Sequence, residues 1–342
     1  MKSGRRKASA GTQKGGHMKS RSKTEVTFAL ASEMMKKAGL GAAVSAEPLG
    51  AGEFNTVLAV TVEDGNTYAL KVAPAADADV QLYEKDMMRA EVHWYSLMRE
   101  RTDIPVPEVF YADFSRELIP ADWFVMSMIE GRHPGGEKGE DAQALAEQLA
   151  RMAASMHKVK GEGFGYVQRG LHPTWHDAVR AMTEDLLRDA EKKGVRSRRG
   201  EKLLRLIDRY ADTLNEAECR MVNYDIWMPN IIVQETAQGK KFWWIDPERS
   251  FWGDPVADFV CLEFFKPFRK KTLSAKAYNE RADIPVTLSR GEEIRWGVMM
   301  AYMGLLQEVE KHYRYTPVMF GWWRNVLSSA LVYRAGFKAL KK

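Results

Sequence analysis

The stretch from Met221 to Asp258 constrains this chain more than any other. It reads Met221-Val-Asn-Tyr-Asp-Ile-Trp-Met-Pro-Asn-Ile-Ile-Val233. After a polar turn it continues Lys241-Phe-Trp-Trp-Ile-Asp-Pro-Glu-Arg-Ser-Phe-Trp-Gly-Asp-Pro-Val-Ala-Asp258. Two short apolar runs, Ile231 to Val233 and Phe242 to Ile245, each have a carboxylate nearby: Asp225 ahead of Pro229-Asn230, and Asp246 directly after Ile245. The pattern predicts strand, loop and strand with acids at the ends. Taken singly, Asp and Asn beside Pro are ordinary turn formers. The reading therefore depends on what the other segments place around them.

The 342 residues are enough for two lobes or domains. No apolar run approaches the roughly 20 residues that cross a bilayer, and no apolar segment follows the N-terminal charges. A soluble, cytoplasmic chain with no membrane partner is expected. Cys219 and Cys261 fall in no metal-binding or redox spacing and read as reduced thiols packed as small hydrophobes.

The net charge of +5 is unevenly placed. Residues 1–23 hold eight Lys or Arg and no acid, which leaves 43 basic against 46 acidic residues in the body. That Gly- and Ser-rich stretch is expected to be a disordered basic tail, and no nucleic-acid partner is expected from it. A nucleic-acid-binding arm is the alternative. Gly16-His17-Met18 has the form of a cloning scar, which makes Met18 the expected native start.

Residues 24–40 have the apolar spacing of one amphipathic helix. A three-strand meander is expected over Leu49 to Val57, Leu58 to Val62 and Thr67 to Val72, with a turn at Glu63-Asp-Gly-Asn66. Residues 80–100 predict a helix, Ile104 to Tyr111 an extended Pro-punctuated segment, and Trp123 to Ile129 a strand. Beyond Glu130-Gly131 the composition shifts toward helices: about Asp141 to His157, 175–193, 200–216, 290–312 and 320–340. A β-rich part followed by a larger helical part predicts two lobes, 24–128 and 129–342.

Three further features add chemistry. Gly50 and Gly52 lie in a strand-turn-strand, where absent side chains let backbone amides approach phosphate oxygens; a plain turn is the alternative. Lys71 sits between apolar neighbours in Ala69-Leu-Lys-Val72, so its head must reach water or an anion. Glu91 lies twenty residues on, beside Val92 and Tyr95, with Glu84 as its rival. Phosphoryl transfer from a nucleotide asks for such a set, with one carboxylate to orient an acceptor hydroxyl and oxygen ligands to hold magnesium.

Together these segments resemble the aminoglycoside phosphotransferase and choline kinase-like family, relatives of the protein kinases. The family's usual catalytic stretch is His-Gly-Asp, four residues and Asn; here it is Asn223-Tyr224-Asp225 and Asn230. The resemblance implies an α+β, two-lobed protein-kinase-like fold using ATP or GTP and Mg²⁺. It assigns Lys71 to the α- and β-phosphates, with Glu91 as its partner. The backbones of Ser127 and Ile129 face the adenine edge, and Met126 or Met128 lines the purine pocket. Asp225 becomes the general base, Asn230 and Asp246 the magnesium ligands, and Asp254 and Asp258 braces for the catalytic loop. Tyr224, in place of glycine, is expected to add bulk near Asp225.

Pro247-Glu248-Arg249 stands where protein kinases carry Phe-Gly, which favours a small hydroxyl acceptor over a protein. An antibiotic such as an aminoglycoside or macrolide leads. A metabolite kinase for choline- or sugar-like substrates and a nucleotide-binding protein without turnover are the alternatives. Glu248, Glu263, Glu308 and Glu310 are the acids available for a cationic acceptor, and Trp175, Trp227, Trp252 and Trp296 the aromatics. The oligomeric state is left open.

Overall fold

The computed structural model describes residues 23–50, 54–134 and 140–341. The expectations for the tail up to residue 22 and for Gly52 lie outside these residues.

Thr27 caps α1 (Phe28–Lys37) by accepting from the Leu30 amide at 3.2 Å. Strands β1 (Ala43–Pro48), β2 (Thr56–Val62), β3 (Thr67–Val72), β4 (Val109–Asp113) and β5 (Trp123–Ser127) form one antiparallel sheet in the order β1-β2-β3-β5-β4. The meander thus begins earlier than the sequence suggests, with Ala43–Pro48 as its first strand, while Leu49, Gly50, Phe54 and Asn55 belong to none. Gly50 adopts φ +68°, which breaks the extended ladder. Val57 and Leu58, expected in separate strands, are consecutive residues of β2. Strand β1 was hidden because its side chains are small or polar and it ends on Pro48, which an edge strand tolerates.

Side chains alternate across the sheet. Leu70 and Val72 of β3, with Trp123 and Val125 of β5, pack under α1 against Met34 and Met35. Ala69, Phe124 and Met126 face the other way, toward Trp94, Tyr95 and Met98 of α2 (Met87–Arg101). The helix expected from residue 80 starts only at Met87, since Asp86 has φ 57° and residues Leu82–Glu84 make a separate 3₁₀ turn.

The larger lobe is built from α3 (Glu140–Met156), α4 (Trp175–Lys192), α5 (Arg198–Arg209), α6 (Ala211–Leu214), α7 (Thr272–Asn279), α8 (Arg290–Arg314) and α9 (Phe320–Ala339). Helix α7 was not anticipated. Helix α8 opens on a reciprocal Ser289/Glu292 capping box and is buried along most of its length. Helix α9 lies so close that a Cβ on Gly336 would fall 2.6 Å from the Ala301 nitrogen.

Two small ribbons organise the central stretch. Strand β6 (Arg220–Val222) pairs with β9 (Phe251–Gly253), and β7 (Ile231–Thr236) pairs with β8 (Gly239–Trp244). The two apolar runs are therefore direct partners, Ile231 opposite Trp244 and Val233 opposite Phe242. The Ile245 amide donates to the Asn230 carbonyl at 3.0 Å, which draws Asn230 and Asp246 to the same end of the hairpin.

Candidate active site

The alternation of β3 aims Lys71 at α2. Its Nζ donates to both carboxylate oxygens of Glu91, at 2.7 and 2.8 Å, and also to Asp246; Glu248 stands 3.7 Å away. Glu84, the rival to Glu91, pairs with Arg314 instead. Burial opposes the Lys71 charge, yet Asp246, Glu91 and Glu248 together hold its pKa well above the usual lysine value. Burial also pushes Glu91 up to about 7 against the pull of Lys71. The Asp246 amide donates to the Tyr95 hydroxyl at 2.8 Å, so α2 positions both members of this cluster.

The loop after β6 is held by one buried carboxylate. Asp258 accepts from the amides of Asn223 and Tyr224 at 3.2 and 2.6 Å, and its Oδ2 lies 2.9 Å from His157 Nε2. Asn223 Oδ1 accepts the Asp225 amide at 2.9 Å. Asp254 caps the following 3₁₀ turn and pairs with Arg295.

Tyr224 takes φ 58°, a left-handed conformation that glycine adopts without strain. Its ring does not reach the cleft: it is fully buried against Phe251 and Tyr302, and its hydroxyl donates to the Met299 carbonyl of α8 at 2.6 Å. The expected bulk beside Asp225 is absent because positive φ turns this side chain into the core.

Asp225 accepts from Asn230 Nδ2 at 2.9 Å. Its other oxygen lies 3.9 Å from Arg249 Nη1, while Arg249 Nη2 donates to Glu310 at 3.1 Å. Arg314 approaches Glu310 at 3.8 Å, pairs with Glu84, and lies over the Phe54 ring at 4.2 Å. Burial raises the Asp225 pKa while Arg249 draws it back. A chain of alternating charge thus runs from Asp225 to the segment between β3 and α2.

The other proposed residues are spread along the cleft and beyond it. Gly50 marks the turn before β2. The Ser127 amide is taken by the Glu108 carbonyl at 2.8 Å, and Ile129 has no backbone partner among the described residues. Met126 is buried in the core and Met128 half-buried beside it. Trp175, Trp252 and Trp296 are core residues, whereas Trp227, two residues past Asp225, is 55% exposed. Glu263 bonds Lys266 and the Ser274 amide, and Glu308 bonds Ser197 and Tyr333. Neither belongs to the Asp225 cluster.

The residues present suit a hard divalent cation. Carboxylate oxygens of Glu91, Asp246 and Glu248 lie within 4.8 Å of one another, an acid surplus that Lys71 alone does not balance. Because Asn230 donates through Nδ2 to both the carboxylate and the carbonyl of Asp225, its Oδ1 has no partner among the described residues. All-oxygen donors fit Mg²⁺. The sequence reading named Glu248 only as an acid for a cationic acceptor and gave Arg249 and Arg314 no role. Glu248 alone had a local signal, two residues after Asp246.

A five-stranded sheet over a helical lobe, with a buried lysine–glutamate pair facing the loop-hairpin stretch, is the fold of the protein-kinase-like small-molecule kinases. The model of the phosphotransferase enzyme family matches residues 45–282, and the chain belongs to that family. No curated protein matches the sequence. Among solved structures, a Thermobifida fusca protein assigned as a fructosamine-3-kinase superposes with TM-score 0.64 at 20% identity, covering 91% of this chain and 99% of that one. An aminoglycoside 2′-phosphotransferase in its GDP complex gives TM-score 0.62 at 15% identity, covering 90% and 97%. An aminoglycoside phosphotransferase complexed with gentamicin gives 0.58 at 15%, covering 91% and 99%. At these identities the likeness is one of fold.

Proposed function

We propose that this protein transfers the γ-phosphate of ATP or GTP to a hydroxyl of a small acceptor in the cytoplasm. The nucleotide-binding part ends near residue 128 and the acceptor is held by the remainder. Lys71, oriented by Glu91, steadies the α- and β-phosphates, while the amides of Gly50 and Gly52 line the phosphate loop. The Ser127 carbonyl and the Ile129 backbone meet the adenine edge. Asn230, Asp246 and Glu248 would hold Mg²⁺, which when bound offsets phosphate charge. Asp225 orients the acceptor hydroxyl and takes its proton.

The observation that carries this reading is the pairing of Ile231 with Trp244, which brings Asn230 and Asp246 together beside Asp225 and Lys71. The Asn223 cap on the Asp225 amide supports turnover over nucleotide binding alone. An antibiotic, aminoglycoside or macrolide, and a choline- or sugar-like metabolite are the acceptor classes to screen. The test is ADP release with Mg²⁺, ATP or GTP and these acceptors, run beside Asp225→Ala. Acceptor-dependent release that the variant lacks is expected; equal release from both proteins would overturn the role of Asp225.

A further inference from the structure

We infer that Arg249 is the anion receptor of the acceptor site, so that the hydroxyl compound phosphorylated here carries a carboxylate or phosphate close to its reacting hydroxyl. The inference rests on the kinase reading above.

A guanidinium offers five N–H donors in a rigid fork. Arg249 makes one hydrogen bond among the described residues, from Nη2 to Glu310. Its Nη1 stands 3.9 Å from Asp225, too far for a hydrogen bond. None of its nitrogens is both sealed from solvent and unpartnered, and its side chain keeps 18% exposure. The unused donors therefore remain accessible to solvent beside the proposed base. With Asp225 and Arg249 only 3.9 Å apart, a hydroxyl on the one and an anion on the other, each at about 2.8 Å, can belong to one small molecule.

The acids that a cationic acceptor would need are already engaged. Glu310 lies between Arg249 and Arg314, and Glu84 is buried against Arg314 and the Gln81 amide. An ammonium reaching Glu310 or Glu84 must displace a guanidinium from its carboxylate, whereas an anion needs only the open donors of Arg249. The exposed Trp227 supplies a flat apolar wall nearby for the acceptor's carbon frame.

The test measures binding to the ADP–Mg²⁺-loaded protein in two series of matched skeletons. One is glycerate, glycerol 3-phosphate, glycerol and 2-amino-1,3-propanediol. The other is gluconate, glucose 6-phosphate, glucose and glucosamine. In at least one series an anionic member is expected to bind at least about tenfold tighter than the neutral and cationic ones, the size of one charged bidentate contact. Carboxylate and phosphate arms tell the two anion sources apart. Arg249→Met is expected to abolish the preference while ADP–Mg²⁺ still stabilises the protein, and Arg249→Lys, which keeps charge without the fork, to retain part of it.

Tighter binding of a cationic member, no anion preference in either series, or a preference that survives in Arg249→Met would each overturn the inference. If Arg249→Met fails to fold, Arg249→Lys decides: an undiminished preference overturns the fork's role, and a weakened one supports it. A wild-type protein that ADP–Mg²⁺ does not stabilise would instead overturn the kinase reading.

Discussion

The two walls of the cleft use the same kinds of side chain to opposite ends. On one, Lys71 is outnumbered by Glu91, Asp246 and Glu248, an excess of oxygen donors that suits an external cation. On the other, Asp225, Glu310 and Glu84 alternate with the two guanidiniums of Arg249 and Arg314, so each of these three acids adjoins a built-in positive charge. The difference teaches that counting acids in a pocket says little about its ligand. What matters is which donors and acceptors are still open once the protein has satisfied itself.

The contrast can be broken most severely at its two carboxylates. Asp225→Ala is expected to lower turnover by about 10²- to 10⁴-fold, the usual contribution of a positioned base, with ADP–Mg²⁺ stabilisation retained in thermal melts. Asp246→Ala is expected to abolish the magnesium dependence of that stabilisation, checked by titrating Mg²⁺ at fixed ADP. If both variants lost nucleotide binding alike, the two walls would not be functionally separate.

Tyr224→Gly probes the frame behind them. Loss of a buried ring costs about 3–5 kcal/mol, and relief of left-handed strain returns about 1–2 kcal/mol. A net destabilisation is expected in denaturant melts. Glu310→Gln removes half of the internal pairing of Arg249 and is expected to strengthen anion binding several-fold; a weaker anion response would show that Glu310 is needed to aim the guanidinium.

The remaining effect lies outside both walls. Lys271 is fully buried, donates to the carbonyls of Leu262 and Glu263, and is pushed by burial down to about 7. The folded chain therefore gives up this proton before the unfolded chain does. Stability is expected to rise between about pH 7 and 10, by at most about 1.4 kcal/mol per unit. Lys271→Met is expected to lack that rise in melts across the range.

Much of the first wall was legible because its parts are close in sequence or fixed by periodicity. The apolar runs at 231–233 and 242–245 announced two strands with acids at their ends, and the apolar neighbours of Lys71 required its head to reach water or an anion. The family match and the fold agree with that reading. In the second wall Asp225 and Glu310 were named, but the charge pairing that joins them was not legible. Arg249 and Glu310 are 61 residues apart, and Arg314 and Glu84 are 230 apart, with no local pattern to join them. Tyr224 misled for a related reason: its size is visible in the sequence, but its direction is set by a backbone angle. Strand β1 escaped notice because its register is held by backbone pairing and not by an apolar run.

Helix α8 touches the catalytic loop at Met299 through Tyr224 and carries Glu310 and Arg314 further along. The eleven residues from Met299 to Glu310 span about 16 Å and return within roughly 20° of the same direction. One continuous rod thus serves as a gauge block, setting the loop that carries Asp225 and the Arg249–Glu310 pair from a common reference. Substitutions farther along the rod can retune which acceptors fit without the base losing its alignment.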